Sequence, residues 1–144
     1  MTHGSCLCGG VRFVLTAVTT PFELCHCTRC RKATGSAYLA AVTVRTEDFQ
    51  LLAGRELVAR FKLPLRDQPP PYARVFCRTC GCIVPDPDST AATLEVAAGL
   101  LDDDPGIRPE RHILVECKAP WTVISDALPQ LDRQALQRLR KHGG

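Results

Sequence analysis

A chain of 144 residues, 45% hydrophobic and with 18 Lys plus Arg against 15 Asp plus Glu, carries a formal charge of +3. That length predicts one domain spanning residues 1–144, with a core modest enough that extra staples would help to hold it. The longest apolar pieces are short, such as YLAAV, well below the ~18 residues a membrane span needs, so a soluble protein with no membrane partner is expected.

The amino end, MTHGSCLCGG, has no apolar stretch resembling a signal peptide, and the odd count of nine cysteines argues against a secreted disulfide scaffold. A cytoplasmic, reducing location is therefore predicted, where clustered thiols are metal ligands more often than disulfide partners. The first cluster is Cys6 with Cys8 in CLCGG, followed by a predicted strand at VRFVL, 11–15. CHCTRC then places Cys25, Cys27 and Cys30 within six positions. A short helix is predicted from Thr28 to Thr34, with Thr28 capping its exposed amides and Gly35 stopping it. Strands are expected at AYLAAVTV, 37–44, and LVARF, 57–61.

PLRDQPPP, 64–71, reads as a loop, because its four prolines lack the donors a ladder needs. ARVF, 73–76, is the next predicted strand and runs into the third cluster, Cys77 and Cys80 in CRTCG. TLEVAA, 93–98, and HILVE, 112–116, complete the series, with PDPDS, 85–89, as an exposed loop before the first and DDDPG, 102–106, as one between the two. After Pro129, LDRQALQRLRK predicts a terminal helix with Leu131, Ala135, Leu136 and Leu139 near one face. Its Arg138, Arg140 and Lys141 gather at the end the helix dipole favours. Many short strands broken by Gly and Pro predict a mainly β fold of antiparallel sheets.

Structural zinc takes four tetrahedral ligands, and two knuckles of two thiols each would close one such site. Gly9 and Gly81 follow the knuckles where the backbone must turn sharply. Cys6 and Cys8 pair naturally with Cys77 and Cys80, yet spacing equally allows Cys27 and Cys30 to join Cys77 and Cys80. Either way the seven clustered thiols leave one site a ligand short, and a zinc with three protein ligands keeps a corner for water or substrate. Three thiolates would make it a weak activator of water and a better partner for a thiol of free pKa ~8.5. Seven thiolates and two divalent ions also cancel the formal +3, so the basic balance says little about nucleic acid. With no basic tail and only 6% aromatic residues, a nucleic-acid partner is not expected.

GSCLCGGVRF, CHCTRCRKATGSAY, RVFCRTCG, LLDDDPGIRPERHI and KAPWTVISDALPQ together resemble the successive motifs of the glutathione-dependent formaldehyde-activating enzyme family, which includes centromere protein V. The resemblance runs from Gly4 to about Leu131. It implies a small zinc-stapled β-tent fold with a short C-terminal helix, Cys6, Cys8, Cys77 and Cys80 on a structural zinc, and Cys25, Cys27 and Cys30 on a catalytic one. The implied activity is that of a carbon–sulfur lyase, adding glutathione or another small thiol to formaldehyde or a related electrophile, or the reverse. A non-catalytic zinc module that binds protein or nucleic acid is the alternative. A third reading is a redox switch in which Cys25, Cys27 and Cys30 oxidise and release metal.

Arg29, Arg31 and Lys32 are candidates to receive substrate carboxylates, or else they balance thiolate charge. His26, between two candidate ligands, is expected to point away from the metal in a supporting or surface role, and His112 to be a hydrogen-bonded structural histidine. Trp121 is expected in the core or at a rim. Cys82 and Cys117 are expected to be inert thiols unless one fills the open corner of the three-thiol site.

Overall fold

The computed structural model describes residues 1–63 and 72–143, so the predicted 64–71 loop lies outside the described residues. In chain order it contains β1 (Thr2–Ser5), β2 (Arg12–Leu15), β3 (Thr19–Cys25), α1 (Thr28–Thr34), β4 (Leu39–Arg45), β5 (Phe49–Ala53), β6 (Val58–Leu63) and β7 (Tyr72–Cys77). Then come β8 (Thr93–Ala97), β9 (Arg111–Ile113), β10 (Gln130–Leu131) and α2 (Arg133–His142). The strands form a three-stranded sheet in the order β1-β2-β5, a five-stranded sheet in the order β10-β9-β3-β4-β8, and a β6-β7 hairpin.

The mainly β reading holds, with one departure. β9 runs parallel to β3, and β10 parallel to β9, inside an otherwise antiparallel set. Parallel neighbours need a long connection: β3 and β9 are separated by residues 26–110, which include α1 and five strands, and β9 and β10 by 114–129. The central strand β3 escaped prediction because Pro21 breaks its pattern. A register shift against β4 between Thr19 and Phe22 absorbs that proline. The predicted HILVE strand stops at Ile113, because Leu114 turns into the left-handed region with φ 55°.

Period-two alternation explains the larger core. Phe22 and Leu24 from β3, Val42 and Val44 from β4, and Leu94 and Val96 from β8 meet Phe13 and Leu15 from β2. Each such side chain contributes roughly 1.5–3 kcal/mol by leaving water. A second, smaller cluster joins Cys6, Val11, Val58, Val75, Cys77 and Val84, so thiols themselves form part of the apolar packing. The terminal helix begins at Arg133, capped by Asp132, which accepts from the Ala135 amide at 2.7 Å. Leu136 is its buried contact; Leu139 stays 39% exposed and Leu131 belongs to β10.

Gly54 holds the two cores in register where β5 leaves β2. Its φ is +87°, and a Cβ there would sit 2.4 Å from the Gly10 carbonyl oxygen and 2.8 Å from Val11 Cα. Backbone cannot give way as a side chain can. Gly54→Ala is expected to lower stability by about 2–4 kcal/mol, measured as a shift of the urea midpoint at unchanged slope.

Candidate metal centre and adjoining cavities

Four thiols converge where the turn after β1 meets the turn after β7. Cys6, Cys8, Cys77 and Cys80 place their sulfurs within 4.8 Å of one another. Cys6 Sγ lies 3.5 Å from Cys8 Sγ, which lies 3.8 Å from Cys77 Sγ. These separations match the ~3.8 Å edge of a tetrahedron of sulfurs each ~2.3 Å from a central zinc, so this donor set fits that ion.

The turns are built for it. Gly9 and Gly81 adopt φ of 72° and 76°, and their amides donate to the carbonyls of Cys6 and Cys77 at 2.8 and 2.7 Å. The Val11 amide donates to Cys6 Sγ at 3.3 Å. Amides of Cys82 and Cys8 aimed at Cys80 draw its thiol down to about 6. Of the two pairings that spacing allowed, the structure brings Cys6 and Cys8 to Cys77 and Cys80, and leaves Cys27 and Cys30 elsewhere.

Cys25, Cys27 and Cys30 form the second group, again within 4.8 Å of one another. Cys25 ends β3, while Cys27 and Cys30 lie on the turn into α1 and its first turn. The helix cap is Cys27 rather than Thr28: its sulfur accepts the Cys30 amide at 3.3 Å, and Gly35, with φ 64°, ends the helix as expected. The thiols of Cys25 and Cys30 hydrogen-bond to Cys27 and pull its pKa down, while Cys27 in turn pushes Cys25 up.

Among the described residues no fourth Cys, His, Asp or Glu joins this trio. Cys82 and Cys117 belong to neither cluster. Cys82 Sγ instead accepts the Leu7 amide at 3.3 Å, and the Cys117 carbonyl accepts from Arg31 Nη1 at 2.8 Å. Arg31 is thereby partly committed, whereas Lys32 is exposed.

His26 is fully buried, so the surface option is wrong for it. Its Nε2 meets His112 Nδ1 at 2.8 Å, and His112 Nε2 meets Asp126 at 2.9 Å. With Asp126 accepting from His112, the chain reads as His26 Nε2–H donating to His112 Nδ1. Burial, the largest cause, lowers the His26 pKa, so its ring is neutral near pH 7. The His112 hydrogen bond likewise holds Asp126 below the usual carboxylate range. The His26 amide also donates to the Ile113 carbonyl at 3.0 Å, so the turn carrying Cys25 and Cys27 is fastened to β9 through both backbone and side chain. Asp126 was invisible as a partner in the sequence, since only the fold brings it to His112. Trp121 is 69% exposed and is no part of the core.

A model of the glutathione-dependent formaldehyde-activating enzyme family matches residues 1–117, the stretch that contains both thiol clusters. The chain belongs to this family. A Halomonas elongata protein described as a "putative glutathione-dependent formaldehyde-activating enzyme" is 31% identical over 128 residues, covering 86% of this chain and 81% of that one. A crystal structure of a Rhodobacter sphaeroides protein shares the fold, with a TM-score of 0.53 at 23% identity over 74% of this chain and 91% of the other. The glutathione-dependent formaldehyde-activating enzyme match stops at Cys117, short of the KAPWTVISDALPQ segment that entered the sequence resemblance. Asp126 and α2 therefore lie beyond the matched stretch. Among the described residues no helix is long and apolar enough to cross a membrane.

Proposed function

We propose that this protein is a zinc-dependent carbon–sulfur lyase of one domain, joining a thiol such as glutathione to formaldehyde, or cleaving the adduct. Cys25, Cys27 and Cys30 hold the catalytic zinc, and Cys6, Cys8, Cys77 and Cys80 hold a structural one. The observation that carries this reading is the trio of sulfurs with no fourth protein ligand among the described residues. The family's name supports the substrates. All nine cysteines are free thiols, which suits a reducing cytoplasm.

When bound by the trio, zinc supplies the charge that ionises an incoming thiol of free pKa ~8.5. The chain's own part is to present three soft donors and keep its other thiols and histidines away, so that one corner stays with the substrate. His26, anchored through His112, fixes the turn on which Cys25 and Cys27 stand. In the reaction the substrate sulfur gives up its proton and forms a C–S bond to the carbonyl carbon. The C=O π pair moves onto oxygen, which takes a proton to give the hydroxymethyl thioether. This addition proceeds unaided in water, so holding the reactants together is most of the catalytic work.

The test pairs zinc analysis with turnover of 13C-formaldehyde and glutathione followed by NMR. Two zincs per chain and adduct formation well above the spontaneous rate are expected. Two zincs with neither thiol binding nor turnover would overturn the lyase assignment.

A further inference from the structure

A carboxylate, two imidazoles and the turn of the three-thiol centre form one unbroken line. Asp126 Oδ2 lies 2.9 Å from His112 Nε2, and His112 Nδ1 lies 2.8 Å from His26 Nε2. His26 stands in the chain between Cys25, the last residue of β3, and Cys27, the cap of α1. The line runs from solvent inward, since the Asp126 side chain is 46% exposed, that of His112 3%, and His26 is fully buried. Its outer end is held from two sides: Asp126 Oδ1 accepts the Leu128 amide at 2.9 Å, and the Pro129 carbonyl accepts the His112 amide at 2.8 Å. The Tyr38 ring packs against both imidazoles, its centroid 5.3 Å from that of His26 and 6.1 Å from that of His112.

Two neutral imidazoles can share a hydrogen bond in either direction. Here the two directions are unequal. With His26 Nε2 as the donor, Nδ1 of the same ring carries only a lone pair. In the reverse direction Nδ1 would carry the proton, and that atom is buried with no partner among the described residues. A buried N–H without an acceptor is costly, and the ring would have to swing to find one, moving the turn that bears Cys25 and Cys27. A carboxylate can only accept. Facing His112 Nε2, it keeps the proton there and leaves His112 Nδ1 to accept from His26.

We propose that Asp126 is a positioning residue for the three-thiol centre, fixing the direction of both imidazole hydrogen bonds and so holding Cys25 and Cys27 in place to bind the ion. The proposal rests on the reading above of that trio as a zinc site. Among the described residues Asp126 is the one acidic side chain hydrogen-bonded to either ring. It lies beyond the stretch that the family model matches, so the support reaches the centre from the C-terminal segment.

The full chain loaded with 113Cd tests this by NMR, one cadmium resonance being expected for each thiol cluster. The four-thiol centre is the internal control, because among the described residues no hydrogen bond joins it to Asp126, His112 or His26. Asp126→Asn keeps an oxygen for the Leu128 amide and removes the carboxylate, whereas Asp126→Ala removes both. Each is expected to shift the three-thiol resonance and to weaken that centre's hold on cadmium against a competing chelator by roughly tenfold to a hundredfold, with the four-thiol resonance unmoved. Long-range 1H–15N spectra should show both wild-type rings protonated at Nε2, and that pattern should be lost in the variants. Equal weakening of both centres would mean general destabilisation and overturns the proposal, as does an unchanged three-thiol centre in Asp126→Asn. A wild-type trio that takes no cadmium sinks the lyase reading together with this one. A trio that binds cadmium, responds to Asp126 and turns over no thiol keeps Asp126 in its role and removes the lyase.

Discussion

Cys77→Ser is expected to leave a chain that no longer folds cooperatively at 37 °C. Cys77 is completely buried and serves twice, as a member of the four-thiol cluster and as part of the smaller core with Val11, Val58, Val75 and Val84. The β6-β7 hairpin that carries it shares no ladder with either larger sheet among the described residues. What fastens it is that apolar cluster and the convergence of sulfurs from residues about 70 positions apart, Cys8 and Cys77 being 3.8 Å apart. Structural zinc in small domains supplies ~10–16 kcal/mol of binding energy that is also folding energy, against a typical net stability of ~5–15 kcal/mol. With the proposed zinc in place, a hydroxyl instead of the thiol would weaken the ion's grip and would put a polar group among valines. Circular dichroism against temperature should show the broad transition of a metal-stripped protein, and chelation of the wild type should reproduce it. A sharp transition within a few degrees of wild type would remove the structural role.

Much of this was legible in advance, for reasons that differ by element. β4 and β8 were visible because a sheet with one face in the core writes a period of two into Val42, Val44, Leu94 and Val96. The cysteine groups were visible because a knuckle needs its two thiols and its glycine close together in sequence. The assignment of knuckles to each other was not, since it depends on which turns the sheets bring together. β3 was hidden by Pro21, and β1 and β10 by their brevity. The cap was misplaced by one residue because a cysteine in the cap position resembles no standard capping residue, yet its sulfur accepts an amide as an oxygen would.

Cys27→Ser should give the opposite result from Cys77→Ser, with catalysis lost and the fold kept. Cys27 is half-buried at the rim of the larger sheet, and in the structure its sulfur both belongs to the trio and caps α1 through the Cys30 amide. Serine is among the preferred capping residues, so this substitution removes the thiolate while retaining the cap. Alanine removes both and should cost α1 about 1 kcal/mol more. If Cys27 works as a ligand, both variants hold one zinc instead of two and lose activity by at least about a hundredfold, and they differ from each other only in stability. If the thiol matters only as a cap, serine restores activity and alanine does not. Zinc content, initial rate and melting temperature of the pair decide between these, because no purely structural role for Cys27 makes the serine variant both stable and inactive.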